Sequence, residues 1–414
     1  MKKILVIVLL SLLGLTAAVY LYLFFSYNGY RPTKVDHKAA PEALGYFHET
    51  YAECRSAFLS KVDRVVSQYE AVEVSRVAVP SRADADLTVD ICYIPAQTGT
   101  RSLLILSSGI HGIEGYAGSA IQLMAMEEIL SPERLDKTGI LLIHALNPYG
   151  FRYRRRVTEN NIDLNRNCAI EDTQFSAKNA GYGKMYEALN PQEAANHNSL
   201  KNRHWHLIMI RKIITESMRV LRQAVLEGQY EYPDGVFFGG REIEPQITAL
   251  APFLRRIMEP YTKILTIDLH TGYGENGRMH LFPNPVEDPV IKTEMEELFT
   301  GYTIDWGDTE DFYIIKGSFA DYAGALAPGK TYYPMMFEFG TLDSQTTFGS
   351  IRSLHNMSLE NQGFHHGYKN EKTAARISED FEEMFYPSNP AWRSKAISDA
   401  RTILKLVFQR LGRE

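Results

Sequence analysis

His111 and Glu114 stand three residues apart in Ser107-Ser108-Gly109-Ile110-His111-Gly112-Ile113-Glu114-Gly115, directly after a short apolar run. Zinc accepts imidazole nitrogen and carboxylate oxygen, and a catalytic zinc site needs three protein ligands and one open position. Gly112 and Gly115 allow the loop to turn both side chains to one side. Taken alone, H-x-x-E is common by chance, and a loop histidine is more often hydrogen-bonded structure. A third ligand candidate is His270, in Asp268-Leu269-His270-Thr271-Gly272 after another apolar run. Its plainer alternative is a strand-end histidine bound to a backbone carbonyl. His144 lies inside an apolar run and reads as core, while His204 and His206 fall in a polar stretch. His280, His355, His365 and His366 lack a strand-end setting.

A hydrolase also needs a base and a cationic clamp. Glu338, in Met336-Phe337-Glu338-Phe339-Gly340, is a carboxylate inside an apolar strand. Such a group needs a partner or a task, as general base or as a salt-bridged structural residue. Cations suited to a developing oxyanion or a bound carboxylate are dense from Arg152 to Arg156 and in Asp163-Leu164-Asn165-Arg166-Asn167. Most of the first run reads as a solvated basic patch.

The elements that must hold these groups alternate. Residues 72–79, 87–94, 103–106, 140–146, 264–269 and 335–339 read as strands. Helical spacing covers about 42–71, 116–130 and 199–226. Strands alternating with helices predict an α/β fold: a mixed, mostly parallel twisted sheet with helices on both faces. The chosen polar residues fall at or just past four strand ends, where sites gather in such sheets. Residues 171–235 are richer in Asn, Gln, Lys and Glu and read as a helical insertion, either a cover over the site or a surface helical pair. The expected organisation is a membrane anchor over 1–28, a linker and helical lead-in over 29–71, and a catalytic domain over 72–414.

Composition narrows the class. With 414 residues, 45% hydrophobic and 23% charged, there is ample material for a core. A formal net charge of -6 gives no field for nucleic acid, so no nucleic-acid partner is expected. Cys54, Cys92 and Cys168 form no C-x-x-C pair and leave both one disulfide and three thiols open. Lys2 and Lys3 precede an apolar run over 4–25, long enough to span a bilayer. The residues after Thr16-Ala17-Ala18 stay apolar and aromatic, which favours a retained anchor over a cleaved signal. The catalytic domain is then expected on the periplasmic or extracellular side.

Together the order H-x-x-E, Asn147-Pro148-Tyr149-Gly150, an arginine ahead of Asp163-Leu164-Asn165-Arg166-Asn167, a strand-end histidine and a strand glutamate resembles the zinc carboxypeptidase superfamily over about 100–345. The form His111-Gly112-Ile113-Glu114-Gly115 resembles the branch near succinylglutamate desuccinylase and aspartoacylase. The resemblance implies one zinc per chain on His111, Glu114 and His270, with Asp163 orienting His111. It implies Asn165 and Arg166 on the substrate carboxylate, Arg156 on the scissile carbonyl and Glu338 as general base. Tyr313 matches the mobile tyrosine, with Tyr322 its competitor. The implied function is hydrolysis of an amide next to a carboxylate-bearing residue, on a peptide or an N-acyl amino acid. Departures are Tyr149 in the N-P-x-G turn, Cys168 after the D-L-N-R-N motif, Gly340 soon after the glutamate, and the insertion. They put the substrate in question, not the metal. Rivals are a serine hydrolase, for which no G-x-S-x-G elbow occurs, and a non-catalytic zinc or cell-wall binding protein.

Overall fold

The computed structural model describes residues 2–284, 286–306 and 315–412. Seven strands form one sheet: β1 (Glu73–Ala78), β2 (Thr88–Ile94), β3 (Ser102–Ser108), β4 (Thr138–His144), β5 (Lys263–Gly272), β6 (Met279–Phe282) and β7 (Thr331–Gly340). Their order is β1-β2-β4-β3-β5-β7-β6. β4, β3, β5 and β7 run parallel, and antiparallel pairings add β1 and β2 at one edge and β6 at the other. The sheet is therefore mixed and mostly parallel.

The helices that shape the site are, in chain order, α1 (Lys2–Asn28), α2 (Tyr51–Gln68), α3 (Gly115–Met124), α4 (Ala180–Leu189), α5 (Trp205–Glu216), α6 (Met218–Leu226), α7 (Pro245–Met258), α8 (Phe319–Ala325), α9 (Thr347–His366), α10 (Glu371–Phe385) and α11 (Pro390–Leu411). Central strands are apolar on both faces because both faces are covered. Leu104, Leu106 and Leu142 pack with α2, α3 and α11, while Leu103, Ile105 and Leu141 pack with α7 and α8. A third apolar cluster joins α4, α5 and α6 to α9 and α10.

Connections decide where a site can form. From β3 the chain crosses to β4 on one side, and from β5 it crosses to β7 on the other. Helices leaving in opposite directions open a crevice above the adjoining carboxyl ends of β3 and β5. His111 follows β3 and His270 ends β5, so both lie at this switch point.

Several boundaries depart from the sequence reading. The helical stretch 42–71 breaks, and α2 starts afresh at a capping box between Thr50 and Glu53. The stretch 199–226 breaks at Ser217, whose φ of 69° cannot continue a helix. The short edge strand β6 and the helices α9 to α11 carried no reading. All three cysteines are buried and unpaired.

One helix, Lys3–Asn28, is long and apolar enough to cross a membrane by length and composition. Its first half exposes Ile4, Leu9 and Leu13, but its last turns dock on the domain. The Tyr20 hydroxyl lies 2.7 Å from His204 Nε2, and the Tyr27 hydroxyl lies 2.7 Å from His355 Nδ1. The Tyr27 ring stacks on His206, and Tyr27 is 1% exposed.

His144 is core, as expected, stacked on Phe58 with Nε2 3.1 Å from the Ser119 hydroxyl. Burial pushes its imidazole from 6.5 down to about 4. The unfolded chain binds a proton near pH 6.5 that the folded chain refuses until about pH 4. The stability tied to neutral His144 is thus complete above pH 6.5 and drains as pH falls towards 4. The slope limit is about 1.4 kcal/mol per pH unit. His144→Leu should flatten the fall in melting temperature between pH 7 and pH 5. Equal pH slopes in variant and wild type would remove His144 from the acid sensitivity.

Candidate metal centre

The loop after β3 is fixed by backbone pairing with the segment before the D-L-N-R-N motif. Gly112 N–H donates to the Arg156 carbonyl at 3.0 Å and Ile113 N–H to the Arg155 carbonyl at 2.9 Å. A Cβ on Gly112 would overlap the Gly150 backbone, so only glycine lets the two loops meet. Asn147 completes the joint: its Oδ1 accepts from Gly150 N–H at 2.9 Å, and its Nδ2 donates to the Arg156 carbonyl at 3.2 Å. The N-P-Y-G turn thereby places Arg156 against the loop that bears His111 and Glu114.

The candidate ligand atoms of His111, Glu114 and His270 lie within 4.8 Å of one another, and all three residues are buried. His111 Nε2 sits 3.0 Å from Asp163 Oδ1, and His270 Nε2 sits 2.8 Å from Asp268 Oδ2. Both Nδ1 atoms are left facing Glu114, at 2.9 Å from Oε1 for His111 and 3.0 Å from Oε2 for His270. His111 Nδ1 nevertheless has no hydrogen-bond partner among the described residues, because the contact with Glu114 is badly aligned for an N–H bond. With the proton of His111 on Nε2 toward Asp163, a nitrogen lone pair faces a carboxylate oxygen. A divalent cation between them would remove that repulsion. Two imidazole nitrogens and a carboxylate, each imidazole backed by a second carboxylate, fit zinc.

The surrounding charges are tightly paired. Burial would raise the Asp163 carboxyl, but Arg156, His111 and Arg166 hold it well below its usual range. Arg156 bridges Glu114 Oε1 at 3.2 Å and Asp163 Oδ2 at 3.1 Å. Burial works against protonated His270, yet Asp268 and Glu114 hold its pKa well above the usual imidazole value. Glu338 pairs across β5 and β7 with His270, so the two side chains share a face. Its Oε1 accepts from Tyr273 N–H at 2.8 Å. Burial, then the Glu114 charge, pushes Glu338 up to about 8.

Two cavities open from this cluster. One, of about 50 Å³, is lined by His111, Arg156, Asn165, Arg166, His270 and Glu338 together with Phe282 and Met336. The other, of about 150 Å³, shares Arg156, Tyr273 and Glu338 with it, adds Glu114, and runs between α4, α5, α6 and α9. Asn165 Oδ1 accepts from Phe319 N–H at 3.2 Å, and the Arg166 guanidinium donates to the Asn165 carbonyl at 2.9 Å. The structure thus gathers His111, Glu114, His270, Asp163, Arg156, Asn165, Arg166 and Glu338. Tyr313 lies outside the described residues. Its competitor Tyr322 is packed in the core with α7 and is not among the described residues lining either cavity.

Two corrections concern partners. The run from Arg152 to Arg156 is not a free basic patch: Arg152 pairs with Asp86, Arg154 with Glu382 and buried Arg155 with Glu360. Asp268 had no assigned part, yet it holds His270 and itself accepts from the Ser107 hydroxyl at 2.7 Å. The signal was present as D-x-H on a strand, where residues two apart share a face.

A sheet with this switch point and a buried His–Glu–His cluster above it defines an α/β protein with a candidate metal centre on parallel strand ends. The chain belongs to the family described as "Protein of unknown function (DUF2817)", whose pattern matches residues 47–399. No curated protein matches it. Among solved structures it is similar to bovine thrombin-activatable fibrinolysis inhibitor in complex with tick carboxypeptidase inhibitor. That match has 16% identity, covers 80% of this chain and 98% of the other, and has a TM-score of 0.43. It is also similar to a Pseudomonas aeruginosa metallo-carboxypeptidase, at 14% identity over 77% and 70% of the chains with a TM-score of 0.39. Carboxypeptidase A from Helicoverpa armigera matches at 14% identity over 80% and 73%, with a TM-score of 0.38.

Elemental analysis of the full chain should find about one zinc, absent in His270→Ala. Asp268→Asn should weaken zinc roughly 10–100-fold in chelator competition. Unchanged affinity in that variant would show that Asp268 does not tune the site.

Proposed function

We propose that this protein is a zinc-dependent hydrolase of carboxypeptidase type, cutting an amide bond next to a carboxylate-bearing residue. The observation that carries this reading is the pair of imidazole Nδ1 atoms converging on Glu114, with Glu338 held beside them on β7. His111, Glu114 and His270 would hold the zinc. Zinc bound there would supply Lewis acidity and activate water at neutral pH.

The chain's own residues carry the remaining work. Asn165 and Arg166 bind the substrate carboxylate in the small cavity and fix the amide in place. Glu338 receives the proton of the attacking water on a carboxylate oxygen and passes it to the leaving amine. Arg156 donates to the developing oxyanion, and its pairing with Glu114 and Asp163 keeps the guanidinium in position. Glu338 must be ionised to act. A cation among the ligands would offset the Glu114 charge that contributes to its raised pKa.

A peptide and an N-acyl amino acid both offer the required amide and carboxylate. We assign the N-terminal helix as a retained anchor. Cleaving it off would uncover the apolar cluster that buries Tyr27. The domain is assigned to the far side of the membrane from Lys2 and Lys3.

Glu338→Gln should keep its zinc and lose roughly 10²–10⁴-fold in kcat. Arg166→Gln should act mainly on KM. A chelator should abolish hydrolysis by the wild type and added zinc should restore it. No hydrolysis by the zinc-loaded wild type, across C-terminal and N-acyl amino acid libraries, would leave a non-catalytic zinc protein in its place.

A further inference from the structure

The two cavities meet at Arg156, Tyr273 and Glu338 but differ in chemistry. The small one presents Asn165 and Arg166. The larger presents Met185, Met209, Leu221, Val225, Met357 and Met384, side chains with no donor and no acceptor beyond a weakly accepting thioether. At about 150 Å³ it has roughly ten times the room that one water needs. A peptide extending into it would bury an N–H and a C=O for every residue, each needing a partner. Beyond the residues shared with the metal cluster and Tyr273, the polar groups on that wall are few: Ser350 and Ser353 give isolated hydroxyls, the Ser344 hydroxyl already accepts from Gly274 N–H, the Thr271 hydroxyl donates to the Phe385 carbonyl, and Arg222 donates to the Gln345 carbonyl. An aliphatic chain asks for no partners. Four methionines give the wall soft, adaptable surface.

The wall also lies beside the spanning helix. α1 docks on His204 and His206 at the start of α5. Met209 and Ile213, which line the cavity, follow on the same helix within about 14 Å at 1.5 Å per residue. An acyl chain resting in a bilayer would meet this face of the domain.

Building on the hydrolase reading, we propose that the substrate is an N-acyl amino acid with a long aliphatic acyl chain. The chain fills the cavity walled by α4, α5, α6 and α9, and the amino-acid carboxylate lies against Asn165 and Arg166. Hydrolysis adds water across the amide: hydroxyl goes to the acyl carbon, the proton goes to the leaving nitrogen, and a fatty acid and a free amino acid result.

The test uses full-length Glu338→Gln protein in nanodiscs, with empty nanodiscs giving the partition background. N-acetyl-, N-octanoyl- and N-dodecanoyl-L-alanine are titrated by calorimetry, beside the tripeptide Ala-Leu-Ala. Affinity should rise about four-fold for each methylene that enters the cavity, the equivalent of ~0.8 kcal/mol per buried CH₂. Ile213→Glu, added to the same protein, should flatten that dependence. Met209→Phe, a milder change that keeps an apolar core residue, should shift the preference to shorter chains. Equal affinity for the acetyl and dodecanoyl compounds, or tighter binding of the tripeptide, would overturn the proposal. The hydrolase reading is judged separately, in wild-type protein. Hydrolysis with no dependence on chain length leaves the hydrolase and removes the acyl cavity. Length-dependent binding with no turnover leaves the cavity and removes the hydrolase.

Discussion

Four carboxylates crowd one cluster, the buried groups of Glu114, Asp163 and Asp268 and the half-buried one of Glu338, and the protein must answer for their charge. An isolated buried carboxylate is expensive, and neighbours of like sign make it more so. Arg156 answers for two of them through its paired contacts with Glu114 and Asp163. Asp268 takes a hydroxyl from Ser107 and an imidazole from His270. What remains is a surplus of negative charge at the carboxyl ends of β3, β5 and β7, shared with two imidazoles. The architecture around that spot answers to the imbalance, and a divalent cation is the simplest group that settles it.

Rigidity at the spot comes from backbone, not from long side chains. The parallel register of β5 and β7 sets His270 beside Glu338. The glycine-to-glycine approach of the two loops sets His111 and Glu114 against Arg156. A third joint is Thr271 N–H, which donates to Glu114 Oε2 at 3.1 Å and ties the end of β5 to the other loop. Side chains held this way lose little freedom on meeting a ligand, which is what a preorganised site requires.

Much of this was legible because buried parallel strands write themselves as unbroken apolar runs, and polar residues that end such runs stand out. His111, His270 and Glu338 were visible for that reason, and the structure brings them together. Asp268 was overlooked inside its own strand, where it looks like a polar interruption of an apolar run. β6 has only four residues at the sheet edge, too few for a periodic signal. The division between α5 and α6 turns on one backbone angle at Ser217, which helical spacing does not encode. The apolar cavity was invisible for a different reason. Met185 and Met357 meet only in three dimensions, and no local pattern marks a methionine as wall and not as core.

The docking of α1 carries one more consequence. A tether of loose chain would let the domain turn freely above a surface. Here Tyr20 meets His204 of the insertion and Tyr27 meets His206 of the insertion and His355 of α9, so the last turns of the helix and the domain are packed as one piece. The aim of the candidate site's mouth therefore follows the direction of a single helix. Were the helix to span a bilayer as proposed, bilayer thickness, through tilt, would become a variable that points the domain toward or away from the lipid. The membrane would then act as part of the hinge, and its composition as a control on what the site can reach.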